Sequence, residues 1–114
     1  MFSKWLDWAL RRVFGTPVHG TGQKLTVSAS SAISTALTPG TMVRLASTVN
    51  CWVGFSSSGS ATALDDGTDE LLIGSCPEIY TVDDTRIYVV CLLHSSEGSD
   101  GELSIMPLAG YRVP

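Results

Sequence analysis

Bond-breaking chemistry needs a nucleophile, a base and a group that orients the base, and this sequence offers few residues for such a set. Its two histidines are His19, in a stretch of helix and strand breakers, and His94, at the end of an apolar run. His94-Ser95-Ser96 sets hydroxyls beside an imidazole, but adjacent residues of a strand point to opposite faces, and no glycine-flanked nucleophile turn is present. One run could hold a hard cation: Asp65-Asp66-Gly67-Thr68-Asp69-Glu70, with four carboxylates in six residues. It lacks the alternating Asp-x-Asp-x-Asp-Gly register of an EF-hand loop, so a solvated hairpin turn without metal is the expectation. Gly20-Thr21-Gly22 has neither the lysine nor the strand-to-helix setting of a phosphate cradle. The expectation is a non-enzyme with no catalytic residue, no metal and no cofactor.

The three cysteines, Cys51, Cys76 and Cys91, are widely spaced and form no Cys-x-x-Cys pair. Cys51 and Cys91 lie inside the apolar runs Asn50-Cys51-Trp52-Val53 and Val90-Cys91-Leu92, which reads as buried free thiols of a reducing compartment. A Cys51–Cys91 bridge stays open if their strands are neighbours.

The sharpest feature is at the N-terminus. Across residues 2–14 the apolar residues follow the helical period: Phe2, Trp5, Leu6, Ala9, Leu10 and Val13 share one broad stripe, with Lys4, Asp7 and Arg11 opposite. Ser3 can cap this helix, and Gly15 with Pro17 stops it. A helix of this length spans about 20 Å and is marginal alone in water, so its apolar face must lie against something. Tryptophan is enriched where one protein anchors another, so Phe2, Trp5, Leu6, Trp8, Ala9, Leu10 and Val13 are read as a partner-binding set. Packing on its own domain and insertion at a membrane surface, with Lys4, Arg11 and Arg12 as the basic rim, are the alternatives. Charged residues interrupt every apolar core here, so neither a signal peptide nor a spanning helix is expected.

These residues need elements to position them. Residues 16–23, Thr-Pro-Val-His-Gly-Thr-Gly-Gln, have the composition of a linker, which divides the chain into an anchor helix (1–15), a linker (16–23) and a β domain (24–114). In the β domain, runs of β-type residues predict strands at 24–28, 42–47, 49–55, 70–73, 78–82, 86–93 and 102–106, with a further one at 32–37 or 61–64. Turn chemistry separates them, as in Thr38-Pro39-Gly40-Thr41 and Asp83-Asp84-Thr85. Seven or eight short strands with no helical segment between them predict an all-β fold, an antiparallel β-sandwich of jelly-roll-like type. The continuous apolar run at 86–93 predicts the most buried strand, covered on both faces or by a partner chain.

An apolar fraction of 44% with 16% charged residues is that of a folding chain, and the net charge of −4 with scattered basic residues leaves no basic face for phosphates. No nucleic-acid partner is expected. A surface of small, weakly polar side chains tolerates close packing against other proteins.

The order of parts in Val43-Arg44-Leu45, Val49-Asn50-Cys51-Trp52-Val53-Gly54-Phe55, a Ser/Gly/Ala/Thr-rich loop, Pro77-Glu78-Ile79-Tyr80-Thr81-Val82, Arg86-Ile87-Tyr88-Val89-Val90 and Gly101-Glu102-Leu103-Ser104-Ile105-Met106-Pro107-Leu108 resembles small β-sandwich structural proteins of tailed-bacteriophage virions. That resemblance implies a capsid decoration (cement) or head-fibre protein, assembled in the host cytoplasm into the virion. It implies a symmetric homo-oligomer, a trimer by preference, whose N-terminal helix reaches a major capsid or other virion protein. Two other readings stand beside it. One is a receptor- or carbohydrate-binding β module using the loops at 56–60 and 95–101. The other is a peripheral membrane protein anchored by the helix.

Overall fold

The computed structural model describes residues 15–109. The helix expected over residues 2–14 lies outside the described residues. Within them the chain forms nine strands and no helix: β1 (Thr16–Pro17), β2 (Gln23–Val27), β3 (Ala32–Ile33), β4 (Met42–Ser47), β5 (Cys51–Ser56), β6 (Glu70–Leu72), β7 (Glu78–Thr81), β8 (Tyr88–Leu93) and β9 (Gly101–Ala109). The all-β expectation holds, with nine strands rather than seven or eight because β1 pairs at the start of what reads as a linker. Thr16 lies opposite Ala109 and Pro17 opposite Leu108, so residues 16–17 belong to the sheet.

The pairing is nested. β2 pairs with β9, β3 with β8, β4 with β7 and β5 with β6, every pair antiparallel. Two further pairings, β4 with β9 and β5 with β8, join these ribbons into sheets. Sheet A runs β1-β9-β4-β7 with β2 beside β1 along β9, and sheet B runs β3-β8-β5-β6. The result is two antiparallel sheets, of five and four strands, that enclose one core.

Alternation of side chains fills the space between the sheets. In β4, Val43, Leu45 and Ser47 are buried while Met42, Arg44 and Ala46 are half-buried on the outer face. Val27, Val53, Leu72, Val82, Val89, Leu103 and Ile105 join Val43 and Leu45 in one core with Cys51 and Cys91. The interior is therefore closed by apolar side chains, and what the domain presents to other molecules is its outer faces and loops.

Several strand limits are set by side chains that capture backbone donors. Ser47 Oγ accepts from Val49 N at 3.2 Å and Glu97 Oε1 from Asn50 N at 2.9 Å, which delays β5 to Cys51. Asp83 Oδ1 accepts from Thr85 N at 3.0 Å and Arg86 N at 2.6 Å. That Asx turn bends the chain and moves the start of β8 from the expected residue 86 to Tyr88.

Candidate interaction surface

The outer face of sheet B differs from the rest of the exterior. Trp52 pairs with Leu92 on β8 and with Leu71 on β6, and paired residues share a face, so the three form one apolar row across the sheet. His94 closes on the Trp52 ring at 5.4 Å between centroids. Ile73, beyond the end of β6, continues that outer side by alternation, and Leu64 approaches from the loop before β6. Leu64 (48%), Leu71 (38%) and Ile73 (47%) are three of the four exposed large hydrophobics among the described residues; Val18 is the other. Leu71 and Ile73 on the side of one tryptophan and Leu92 mark a contact face, whereas scattered single ones would need no explanation.

The loop at 57–69 shapes this face. It leaves β5 and passes Tyr88, whose ring atoms stand 3.3–3.5 Å from where a Cβ on Gly59 would sit. Ala63 N then donates to Ser31 Oγ at 2.8 Å, on the far side of the sheet, and the chain returns so that Asp69 lies over Gly54. A Cβ on Gly54 would stand 2.6 Å from Asp69 Oδ1, so only glycine lets the loop lie this close. Val90 points outward by alternation yet is 3% exposed, and Ala63 is buried. At Val90 the second face of β8 is thus covered by the chain's own loop, and no partner is needed to bury that residue.

The acidic run is built into that loop. Asp66 Oδ1 accepts from Thr68 N at 3.0 Å and from the Thr68 hydroxyl, and these bonds hold its carboxyl below the usual carboxylate range. Asp69 Oδ2 accepts from Leu64 N at 2.8 Å. Two of the four carboxylates, Asp66 and Asp69, are spent on turning the chain, and no group of three His, Cys, Asp or Glu residues is placed to hold a metal among the described residues. Asp69 lies over the outer face at Gly54, whereas Glu70, opposite Val53, is on the inward side of the β6 edge.

The remaining residues with chemical potential are dispersed. His94 Nδ1 lies 2.7 Å from Ser96 Oγ and also accepts from Ser96 N at 3.0 Å. The imidazole therefore meets a serine two residues on, a contact that strand alternation does not foresee because the chain turns there. It locks the turn, and among the described residues no third group is hydrogen-bonded to the ring. The serine-rich loop at 56–60 likewise spends its hydroxyls on itself: Ser56 Oγ accepts from Ser58 N at 3.0 Å, and the Ser58 and Ser60 hydroxyls lie 3.1 Å apart. The partner-binding set Phe2, Trp5, Leu6, Trp8, Ala9, Leu10 and Val13 lies outside the described residues. Sequence reasoning missed the sheet B face because Leu71 and Leu92 are ordinary strand residues until their alternation is fixed by pairing.

The thiols are free, with Cys51 and Cys91 buried and Cys76 exposed. β5 and β8 are neighbours, but Cys51 lies opposite Leu93 and Cys91 opposite Val53, so the two cysteines sit on a diagonal. Such diagonals separate Cα atoms by about 7–8 Å, beyond ordinary disulfide geometry. Burial pushes the Cys91 thiol up to about 12 and raises Cys51 as well. Because the thiolate is the reacting form, native protein treated with a thiol reagent at pH 8 is expected to take up one equivalent, at Cys76, and denatured protein three. Uptake of more than one equivalent by native protein, read by mass spectrometry, would contradict the burial of these strands.

No protein-family model matches this chain, and no curated protein matches it. Among solved structures it is similar to the solution NMR structure of a de novo designed double-stranded β-helix, with a TM-score of 0.51 at 14% identity over 75% of this chain and 96% of that one. At that identity the likeness shows the fold alone, and it agrees with the nested antiparallel pairing described above.

Proposed function

We propose that this chain is a non-enzymatic assembly subunit, a virion structural protein of the capsid decoration or head-fibre kind. In this reading its β domain packs in symmetric copies and its N-terminal segment makes the specific attachment. The observation that carries the assembly reading is the outer face of sheet B, where Leu71, opposite Trp52, and Ile73 are exposed. Keeping these large apolar side chains in water on one face is unfavourable at roughly 25 cal/mol per Å² of apolar surface, a term that association removes. The apolar filling of the interior supports a role carried by surfaces. The placement in a virion rests on the resemblance of the strand and loop order to phage structural proteins.

The saccharide-binding alternative is weakened by the serine loop, whose hydroxyls cap their own turns. The test is the solution mass of the full chain. Light scattering at micromolar concentration is expected to give a multiple of the 12.1 kDa subunit, three being the value the resemblance implies. A monomer mass overturns the assembly reading.

A further inference from the structure

We infer that the free edge of β7 pairs with the same edge of a second copy of this chain, so that sheet A of one subunit runs on into sheet A of another. This contact rests on the assembly reading and is separate from the sheet B face.

Backbone direction identifies the edge. β7 ends sheet A, with β4 on one side and no strand on the other among the described residues. Just past β7, Val82 N donates to Thr41 O and Val82 O accepts from Gly40 N, both at 2.8 Å, so Val82 turns its backbone groups toward β4. Direction alternates along an antiparallel ladder. Tyr80 and Glu78 therefore follow Val82, whereas Ile79 and Thr81 turn their N–H and C=O groups outward. None of these outward groups has a backbone partner among the described residues. Such a row is a template for another strand.

The devices that blunt an edge lie on the other free strands. At the opposite side of sheet A, β2 carries the exposed Lys24, and Ser28 just beyond it gives its carbonyl to Leu93 N of β8. In sheet B, β3 is two residues long and β6 three. β7 has four residues in unbroken register with β4 and contains no lysine, proline or bulge.

The residues of the edge choose a second copy as the occupant. Pro77 has no N–H and Asp83 opens the Asx turn, so the usable window is centred on Tyr80. An antiparallel two-fold through Tyr80 sets Ile79 opposite Thr81 of the second copy and Thr81 opposite its Ile79, and closes both N–H···O=C bonds of each opposed pair. Glu78 then lies opposite Val82 of the second copy, so no carboxylates are opposed. Moving the two-fold to Thr81 would set Glu78 against Asp84, and moving it to Ile79 would leave Thr81 O facing Pro77, which has no proton to give. On the inner side Tyr80, half-buried with its ring 5.5 Å from Phe55, meets Tyr80 of the second copy as an aromatic cross-strand pair.

The test is a charge swap in the full chain, read as solution mass by light scattering. The contact is isologous, so the wild type is expected as a pair of subunits, or a larger even number where the sheet B face adds a further contact. Ile79→Lys/Thr81→Lys sets lysine opposite lysine and is expected to weaken pairing by about 100-fold, and Ile79→Glu/Thr81→Glu to do the same. An equimolar mixture of the two is expected to recover the pair with one copy of each, identified by native mass spectrometry, since lysine then meets glutamate. Leu71→Glu, on the sheet B face, is expected to leave the β7 pair in place. Where circular dichroism shows a charged variant unfolded, Thr81→Pro replaces it, because it deletes an outward N–H and leaves the ladder with β4 intact. If the wild-type chain forms an odd-numbered oligomer, a folded edge variant keeps the wild-type mass, folded charged variants fail to combine, or Leu71→Glu abolishes pairing, the inference is overturned while the assembly reading stands. A monomeric wild-type chain overturns both.

Discussion

Leu45→Ala is expected to destabilise the domain by about 2–5 kcal/mol. Leu45 is fully buried in β4, opposite Ile105 of β9 and Glu78 of β7. Truncation removes its transfer free energy and leaves a cavity that two paired neighbours hold open. In urea the midpoint should fall with the slope unchanged, because the surface exposed on unfolding is nearly the same. Leu71→Ala is the contrasting case: that leucine is 38% exposed on the outer face of sheet B, and at subunit concentrations below association its loss should cost under about 1 kcal/mol. Equal costs for the two would mean that the inner and outer faces have been assigned the wrong way round.

Ser34→Ala is expected to cost about 1–3 kcal/mol, a large effect for the loss of one oxygen. Ser34 is buried just after β3 and takes over the work of the strand ladder there. Its backbone N donates to Val89 O at 2.9 Å, its Oγ accepts from Val89 N at 2.9 Å, and its hydroxyl donates to Thr35 O at 2.9 Å. Val89 is fully buried, so alanine at 34 leaves an amide N–H with neither protein partner nor water. Hydrogen exchange should locate the damage, with protection lost at the Val89 amide first. A variant in which Val89 stays as protected as in the wild type would show that the amide has another acceptor.

The same serine shows where sequence reading reached its limit. The run at 32–37 reads as a possible strand, and it does follow β8, with Leu37 N bonded to Ile87 O at 2.8 Å. Only Ala32–Ile33 completes a regular ladder, because a side-chain hydroxyl intervenes at Ser34. The last strand was underestimated for the opposite reason. The expected strand ends at residue 106, yet β9 continues through Pro107 to Ala109, since residues 106 and 107 fall opposite the break between β1 and β2, where that side of the ladder has no registered partner.

Local pattern alone determined that this chain is all-β, that β4 spans residues 42–47, and that the acidic and serine-rich runs are turns, because period-2 burial and turn chemistry act between residues close in sequence. Which strands pair was decided only by tertiary structure. β2 meets β9 across most of the chain, and no local signal encodes a partner that distant. The consequences for function follow from that pairing: it set Leu71, Trp52 and Leu92 in one row on an outer face, put Cys51 and Cys91 on a diagonal, and drew the 57–69 loop across Val90. Side-chain alternation fixes that a residue has a face, and only the register of its neighbours decides what that face meets.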